Sequence, residues 1–483
     1  MSVDYDLVVI GNSPAGIEAA IAAARLKARV ALVSHSLSPA HFSEAAYHSL
    51  LQVGRSQEQW QRLQHSPLWA IPEFSSGPVQ WESVQRWIEL AAAHLETPHT
   101  GAVLASLGID VISDQGEFCR KPTPGLMVGG RFLSSRSYLL AMAAQPFIPN
   151  IEGLQRMGYL TVETLPQQLP HLQEGQHLAV IGQGSEAIAL AQALNRLNFS
   201  VTLLVAAPRI VPDADIEVSR WLQAQLEVEG VRILTDVEVT QVRPIQGKKW
   251  LQVGSQGMEV DELILAVGQA PRAESWNLEA VRVKWDGRGI WHNAKLQTTN
   301  PKIYVCEGRL GDTCYSQVAR YEATIALQNA LFFPRLTASY RHIPLTVYTQ
   351  PEAVWMGLTE AQAISQFGKQ VQVLRRSFNT LPKAQLQDHL TGFCKLIVHR
   401  NGRLLGAHLL GDQASEWSSA IALVMQQNLT VPALSRLVLP SPTWSEVIQK
   451  VAMDWHTQQL EQKPWLQNLY DHFFDFRRSW SKE

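Results

Sequence analysis

The 483-residue chain is poor in cysteine and holds none before Cys119; the four it has are Cys119, Cys306, Cys314 and Cys394. No two form a CxxC pair and none falls in a cluster with metal-ligand spacing, which excludes zinc-ribbon and thioredoxin-like chemistry. Scattered, unpatterned cysteines in so long a chain predict a reduced, cytoplasmic setting rather than a disulfide framework. Lys and Arg nowhere form a long run, and the net charge is −2, so nucleic acid is not an expected partner. No segment reaches about 18 consecutive apolar residues, so no transmembrane helix is expected. The first residues lack a basic stretch followed by an apolar one, so no signal peptide is expected either. Tryptophan, by contrast, is plentiful at 15 residues, and its simplest use is core and interface packing. The length suggests about three domains.

Two stretches carry the clearest pattern. YDLVVIGNSPAGIEAAIAAARLKARVALVS (Tyr5–Ser34) reads as a buried strand at Leu7–Ile10, a glycine turn, an alanine-rich helix and a second strand at Val30–Val33. In the turn, Gly11 permits the tight bend and Ser13 is small enough to let a diphosphate approach. Gly16 lets helix and strand pack closely, with the helix N-terminus facing the phosphates. HLAVIGQGSEAIALAQALNRLNFSVTLLVAAPRIVP (His177–Pro212) repeats the unit, with Gly182, Gly184 and Ala187 in the corresponding places. One turn suits a flavin dinucleotide and the other a nicotinamide dinucleotide. Both units lack the acid expected about 20 residues on to hold ribose hydroxyls. Ser34 stands there in the first, and Val205, Ala206 and Ala207 in the second. Ser34 can still bond a hydroxyl, without charge assistance. Arg209 is open to two readings, a partner for a 2′-phosphate or a surface residue.

Further segments follow in a telling order: LILAVGQAPRAESWNL (Leu263–Leu278), NPKIYVCEGRLGD (Asn300–Asp312), IPLTVYTQPEAVWMGLTEAQA (Ile343–Ala363), GFCKLIV (Gly392–Val398) and LLGAHLLGDQASE (Leu404–Glu416). Together with the two glycine turns they resemble the pyridine nucleotide–disulfide oxidoreductase family, of the dihydrolipoamide dehydrogenase and mercuric reductase kind. The resemblance covers nearly the whole chain. It implies an α/β fold of two Rossmann-like dinucleotide-binding domains plus a C-terminal α+β dimerisation domain. The implied boundaries are 1–150 and 276–335 for the FAD-binding domain and 151–275 for the NAD(P)-binding domain. The dimerisation domain covers 336–455, and an aromatic extension runs over 456–483. FAD, NAD or NADP, and a homodimer are implied with it. Gly268 and Gly308 join the candidate cofactor-binding residues, Gly308 at the place of the family's ribityl-binding aspartate.

The family's dithiol chemistry is not matched. Anchored on Leu50-Leu51, its cysteine pair falls near Pro39 and Glu44, and SHSLSPAHFSEAAYHSLLQVGR (Ser34–Arg55) contains no cysteine. Without a thiolate there is no nucleophile and no disulfide relay. The family's lysine–glutamate pair falls on about His48 and Ala189. Its Ala-Thr-Gly reads Ala141-Met142-Ala143, and its Gly-Arg reads Gly268-Gln269. Its acid–base histidine, in His-Pro-Thr, is replaced by Ser441 in Ser441-Pro442-Thr443, while Glu446 remains. A serine hydroxyl does not titrate near neutral pH and cannot move that proton. Ser441 or Thr443 with Glu446 reads instead as a capping box.

The weaker features have plain explanations. His35, His41 and His48 are spaced too irregularly for a metal site, though in the family that segment faces the flavin. Arg320 and Glu322 read as a solvated helix face. Trp465, Leu469, Phe473, Phe476 and Trp480 fall on one side of a C-terminal helix. That side could pack within the dimer or dock a protein or membrane surface. Two functions stay open: a flavoprotein passing electrons from NAD(P)H to a non-disulfide acceptor, and a catalytically inactive, dimeric binding or assembly protein. No catalytic residue is nominated and no metal is expected.

Overall fold

The apolar runs at the start of the chain become strands because each is hydrophobic on both faces, as a sheet covered on two sides requires. β1 (Tyr5–Ile10), α1 (Pro14–Arg25), β2 (Val30–Val33), α2 (Ala40–Gln64), β3 (Ile109–Ile112) and β4 (Ser135–Leu140) follow in order. In β1, Leu7 and Val9 face one hydrophobic core with Ala20 and Ala23 of α1. Val8 and Ile10 face a second core with Phe118, Leu126 and Leu133. This is the period-two alternation of a strand buried on both sides. The computed structural model describes residues 3–35, 40–64, 79–120, 124–142, 144–271, 274–287, 289–307, 315–461 and 464–480.

The second dinucleotide unit repeats this logic with β5 (His177–Ile181), α3 (Ser185–Arg196), β6 (Ser200–Leu204), β7 (Arg232–Leu234) and β8 (Glu262–Leu265). The chain then re-enters the first sheet through β9 (Ile303–Val305) and α4 (Ser316–Leu331). The first sheet runs β9-β4-β1-β2-β3, and the second runs β7-β6-β5-β8 with Leu160–Thr161 at its edge. The pairings in both are parallel. A short antiparallel pair, Ala144–Pro146 with Gln269–Pro271, joins the segments that connect them. α2 packs on α3 at close range: a Cβ on Gly54 would lie 3.0 Å from the Ala193 Cα. Arg196, buried on α3, pairs with Glu229 at 2.9 Å and Glu58 of α2 at 3.3 Å.

Residues 1–212 and 223–339 form one compact unit, and residues 213–222 and 340–483 form another. The second unit is built on an antiparallel sheet. Its strands are β10 (Leu345–Val347), β11 (Glu352–Gly357), β12 (Val371–Ser377), β13 (Phe393–His399) and β14 (Leu404–Gly411), ordered β10-β11-β14-β13-β12. One face carries a core of Leu396, Leu409, Phe378, Trp417 and Trp444, with Val447 and Val451 of α5 (Glu446–Glu461). The aromatic C-terminal segment forms α6 (Pro464–Trp480), on which Trp465, Leu469, Phe473, Phe476 and Trp480 are exposed. No helix among the described residues is long and apolar enough to cross a membrane.

Candidate functional site

The first glycine turn lies where the C-terminal ends of β1, β2, β4 and β9 meet. The Gly11 amide donates to Val33 O (2.8 Å), and the Ser13 amide to Ala141 O (3.3 Å). Gly11 has φ +113°, and a Cβ there would lie 2.1 Å from the Ala141 carbonyl oxygen, inside the backbone of the neighbouring strand. A Cβ on Gly16 would come within 2.4 Å of the Ala141 methyl group. Glycine is therefore required twice by close approach, and the resulting helix start is bare of side chains. Ser13 is the N-cap of α1, Pro14 follows it, and the Ser13 hydroxyl accepts from the Gly16 amide at 3.2 Å, the usual way of satisfying one orphan helix donor. Ser34, buried at the end of β2, donates its amide to Ile112 O at 3.1 Å. Ser34, Gly11, Ser13 and Gly16 thus share one end of the sheet. Gly308 lies outside the described residues.

Glu307 closes the same place from the other side. It follows the end of β9 by two residues, has φ +62°, and its amide donates to a carboxylate oxygen of Glu322 on α4 at 2.8 Å. Glu322 is buried, which corrects its reading as part of a solvated face. Arg320 is on that face and pairs with Glu18 at 3.1 Å. Burial pushes the Glu307 carboxyl up to about 7; the Ser13 hydroxyl, bonded to it, pulls the other way, and the charge of Glu322 adds to the rise.

The second turn has the same construction. The Gly182 amide donates to Leu204 O (3.1 Å), and a Cβ there would meet Ala266 O at 2.1 Å and the Ala187 methyl at 2.8 Å. Gly184 is the N-cap of α3. Gln183 reaches across to accept the Ala207 amide at 3.1 Å, so an uncharged amide side chain occupies the end of β6. Gly268, at φ +93°, accepts from the Phe147 amide at 2.9 Å on the connecting pair of strands. The Glu186 carboxyl, in the first turn of α3, is pushed up to about 7 by burial and by the neighbouring Glu163. Arg209 donates to Pro212 O within its own loop.

The segment aligned with the family's cysteine pair is the start of α2. Pro39 and the side chain of His41 lie outside the described residues. Glu44 is half-buried, and His35 and His48 are exposed. Among the described residues no three His, Cys, Asp or Glu are grouped as a metal site. Cys306 and Cys394 are buried, and Cys119 is half-buried. Burial pushes the thiols of Cys119 and Cys394 up, away from the reactive thiolate.

Ser441 is exposed. Half of the expected capping box forms: Glu446 accepts the Thr443 amide at 3.2 Å, and the Thr443 hydroxyl donates to Pro440 O at 2.8 Å. The next residue, Trp444, stacks on Phe378 (5.2 Å between centroids) and lies nearly parallel to His389 (6.4 Å). His389 in turn pairs with Asp412. This histidine–carboxylate pair beside the SPTWSE segment escapes the sequence reading, because His389 and Asp412 belong to loops far from Ser441 in the chain and follow no motif.

Residues 5–328 match the pyridine nucleotide-disulphide oxidoreductase family, and residues 343–452 match that family's dimerisation domain. The chain belongs to this family. It is 28% identical over 457 residues to a mercuric reductase of Staphylococcus aureus, covering 93% of this chain and 82% of that one. It is also 28% identical over 473 residues to a dihydrolipoyl dehydrogenase of Thermus scotoductus, covering 94% and 98%. The fold is that of the HOCl-induced flavoprotein disulfide reductase RclA from Escherichia coli, with a TM-score of 0.76, 21% identity, and coverage of 93% and 99%. Mercuric reductases and dihydrolipoyl dehydrogenases are FAD- and NAD(P)-dependent flavoproteins. The first turn fits such a cofactor in its glycines and its helix N-terminus, while Glu307 is the one charged side chain among the described residues that is bonded to Ser13 there.

Proposed function

We propose that this member of the family is a homodimeric flavoprotein that oxidises NADH or NADPH and passes the electrons to an acceptor other than a disulfide. The single observation that carries this reading is the pairing of two intact glycine turns, each at the C-terminal end of a parallel sheet, with a sequence that has no cysteine before Cys119. In this reading Gly11, Ser13, Gly16, Ser34 and Gly308 serve the FAD, and Gly182, Gly184, Ala187 and Gly268 serve the nicotinamide nucleotide. The domain boundaries are those given above. When bound, the flavin supplies hydride acceptance and electron release in steps of one or two. The chain's own contribution is to bind, orient and exclude water, because the segment aligned with the family's cysteine pair, Ser34–Arg55, holds no cysteine. Segment 343–452 supplies the dimer contact, and the aromatic face of α6 is open to a protein partner.

The test is an absorption spectrum of the purified protein. A flavin band near one per chain, bleached by NADH or NADPH without oxygen, is the expected result. A protein that stays colourless with added FAD favours the second reading, a silent dimeric assembly protein, which Glu307 at the first turn and Ser441 in place of a base also favour. Thiol-blocking reagents are expected to leave NAD(P)H oxidation unchanged, because no cysteine lies in the segment aligned with the family's redox pair and Cys306 and Cys394 are buried. Stoichiometric inactivation by N-ethylmaleimide, with the label mapped to one cysteine, would contradict this.

A further inference from the structure

The second glycine turn holds a bond that its glycines alone do not require. Gln183 stands between Gly182 and Gly184, and its side-chain oxygen accepts the Ala207 amide at 3.1 Å. β6 ends at Leu204, so this bond ties the turn to the loop that leaves the strand. A dinucleotide fold holds the adenosine ribose at that place, ordinarily with an acid at the end of the strand. Val205, Ala206, Ala207 and Pro208 follow the strand here, and none of them carries a charge. The structure therefore brings a carboxamide, from the turn itself, to the place where a carboxylate is expected from the strand.

Chemistry fixes how that carboxamide is set. A backbone N–H only donates, so Gln183 turns its oxygen to Ala207. A glutamate could make the same bond but would add a charge. A carboxylate accepts from ribose hydroxyls and repels a 2′-phosphate, whereas a neutral carboxamide has donors and an acceptor and opposes neither group. Of the charged residues near the turn, Arg209 donates to Pro212 O within its own loop. Glu186 of α3 neighbours Glu163, which follows the strand at the edge of the sheet opposite β7 and so lies away from β6. Asp236 meets the loop through its backbone: its amide donates to Ala207 O at 2.9 Å, and its side chain is exposed.

We propose that Gln183 is the residue that reads the adenosine ribose, and that as an uncharged group it admits NADH and NADPH alike. This rests on the reading above that the second turn holds the nicotinamide nucleotide. The discrimination that other dinucleotide sites obtain from a charge on the second strand is absent from Val205–Ala207, and one neutral side chain, held in place by Ala207, stands in for it.

The test is calorimetric binding of NAD⁺ and of NADP⁺ to the purified full-length protein, without turnover. The two Kd values of the wild type are expected to agree within about tenfold. Gln183→Glu keeps an acceptor for the Ala207 amide and adds only the charge. It is expected to weaken NADP⁺ by about tenfold or more while NAD⁺ stays within about threefold of the wild type. Asp236→Asn is expected to leave the ratio of the two Kd values as it is in the wild type. If Gln183 only braces the loop, Gln183→Glu moves both nucleotides together, and that result overturns the proposal. A wild-type preference of about a hundredfold or more for either nucleotide overturns it too. So does a ratio that Asp236→Asn moves and Gln183→Glu does not. In each of these cases the nucleotide reading of the turn stands. Failure of the wild type and both variants to bind either nucleotide overturns that reading as well.

Discussion

Gly11→Ala is expected to leave a protein that unfolds at markedly lower urea concentration and retains no FAD. The new Cβ would lie 2.1 Å from the Ala141 oxygen, 2.6 Å from its carbonyl carbon and 2.7 Å from the Met142 Cα. All three are backbone atoms, so no rotamer change relieves the overlap. The residue also sits at φ +113°, a region that alanine rarely enters. Either the turn or the end of β4 has to move, and both shape the turn proposed to hold the FAD. Combined overpacking and backbone strain set the loss at about 3 kcal/mol or more. Gly108→Ala is the control: its φ is +85°, but nothing lies within 4 Å of the added methyl. It carries the strain without the collision and is expected to lose only about 1 kcal/mol. Equal urea midpoints for the two variants would show that close approach to Ala141 is not what fixes glycine at position 11.

Lys395→Met is expected to destabilise the unit formed by residues 213–222 and 340–483 by about 3 kcal/mol. The Lys395 ammonium is buried in β13 and meets Asp215 at 2.9 Å, Glu360 at 2.7 Å and Glu217 at 3.5 Å. Asp215 is itself buried. Its amide donates to Nδ1 of the buried His408, whose Nε2 donates to Leu358 O at 3.0 Å. Burial alone would raise the Asp215 carboxyl, but the bonds from Lys395 and from the Glu360 and Glu217 amides outweigh it and hold it below the usual range. Burial would likewise lower Lys395, and its bonds to Glu360 and Asp215 hold it above the usual range. The stabilisation from Asp215 is therefore present above the ordinary aspartate value and lost as pH falls through the depressed one. That from Lys395 is present below the ordinary lysine value and lost as pH rises through the elevated one. Methionine fills the volume but leaves Asp215 buried without its cation. Adding Asp215→Leu to Lys395→Met is expected to restore part of the loss, since an apolar pair avoids the stranded charge. Urea unfolding followed by tryptophan fluorescence measures both. A single variant as stable as the parent would mean that the ion cluster contributes nothing net.

What the sequence makes legible is local. Leu7–Ile10 and Val30–Val33 are apolar without interruption, and the structure has strands there because a doubly covered parallel sheet selects such runs. The alanine-rich stretch after Gly16 reads as a helix for the same reason that it packs close to β1. The C-terminal segments GFCKLIV and LLGAHLLGD are equally plain and form β13 and β14. The remainder depends on pairs far apart in the chain. Nothing near Lys395 announces Asp215, and nothing near Ser13 announces Glu307. Glu322 looks like a surface residue until the backbone turns at Glu307 and points an amide at it. The capping box at Thr443 is legible as a pattern, but only the Glu446 half of it forms, and the threonine hydroxyl donates to Pro440 O.

Residues 213–222 have a practical consequence for dissecting this protein. They lie more than a hundred positions before Tyr340, yet they belong to the same compact unit as the C-terminal sheet. A gene fragment opened at Tyr340 would encode the sheet, α5 and α6, but not Asp215 or Glu217, and would leave Lys395 with Glu360 alone of its three carboxylates. The C-terminal unit is thus not a cassette that can be excised, exchanged with a homologue's or fused elsewhere by a single cut. A transplant has to carry the distant decapeptide with it, or redesign position 395 first.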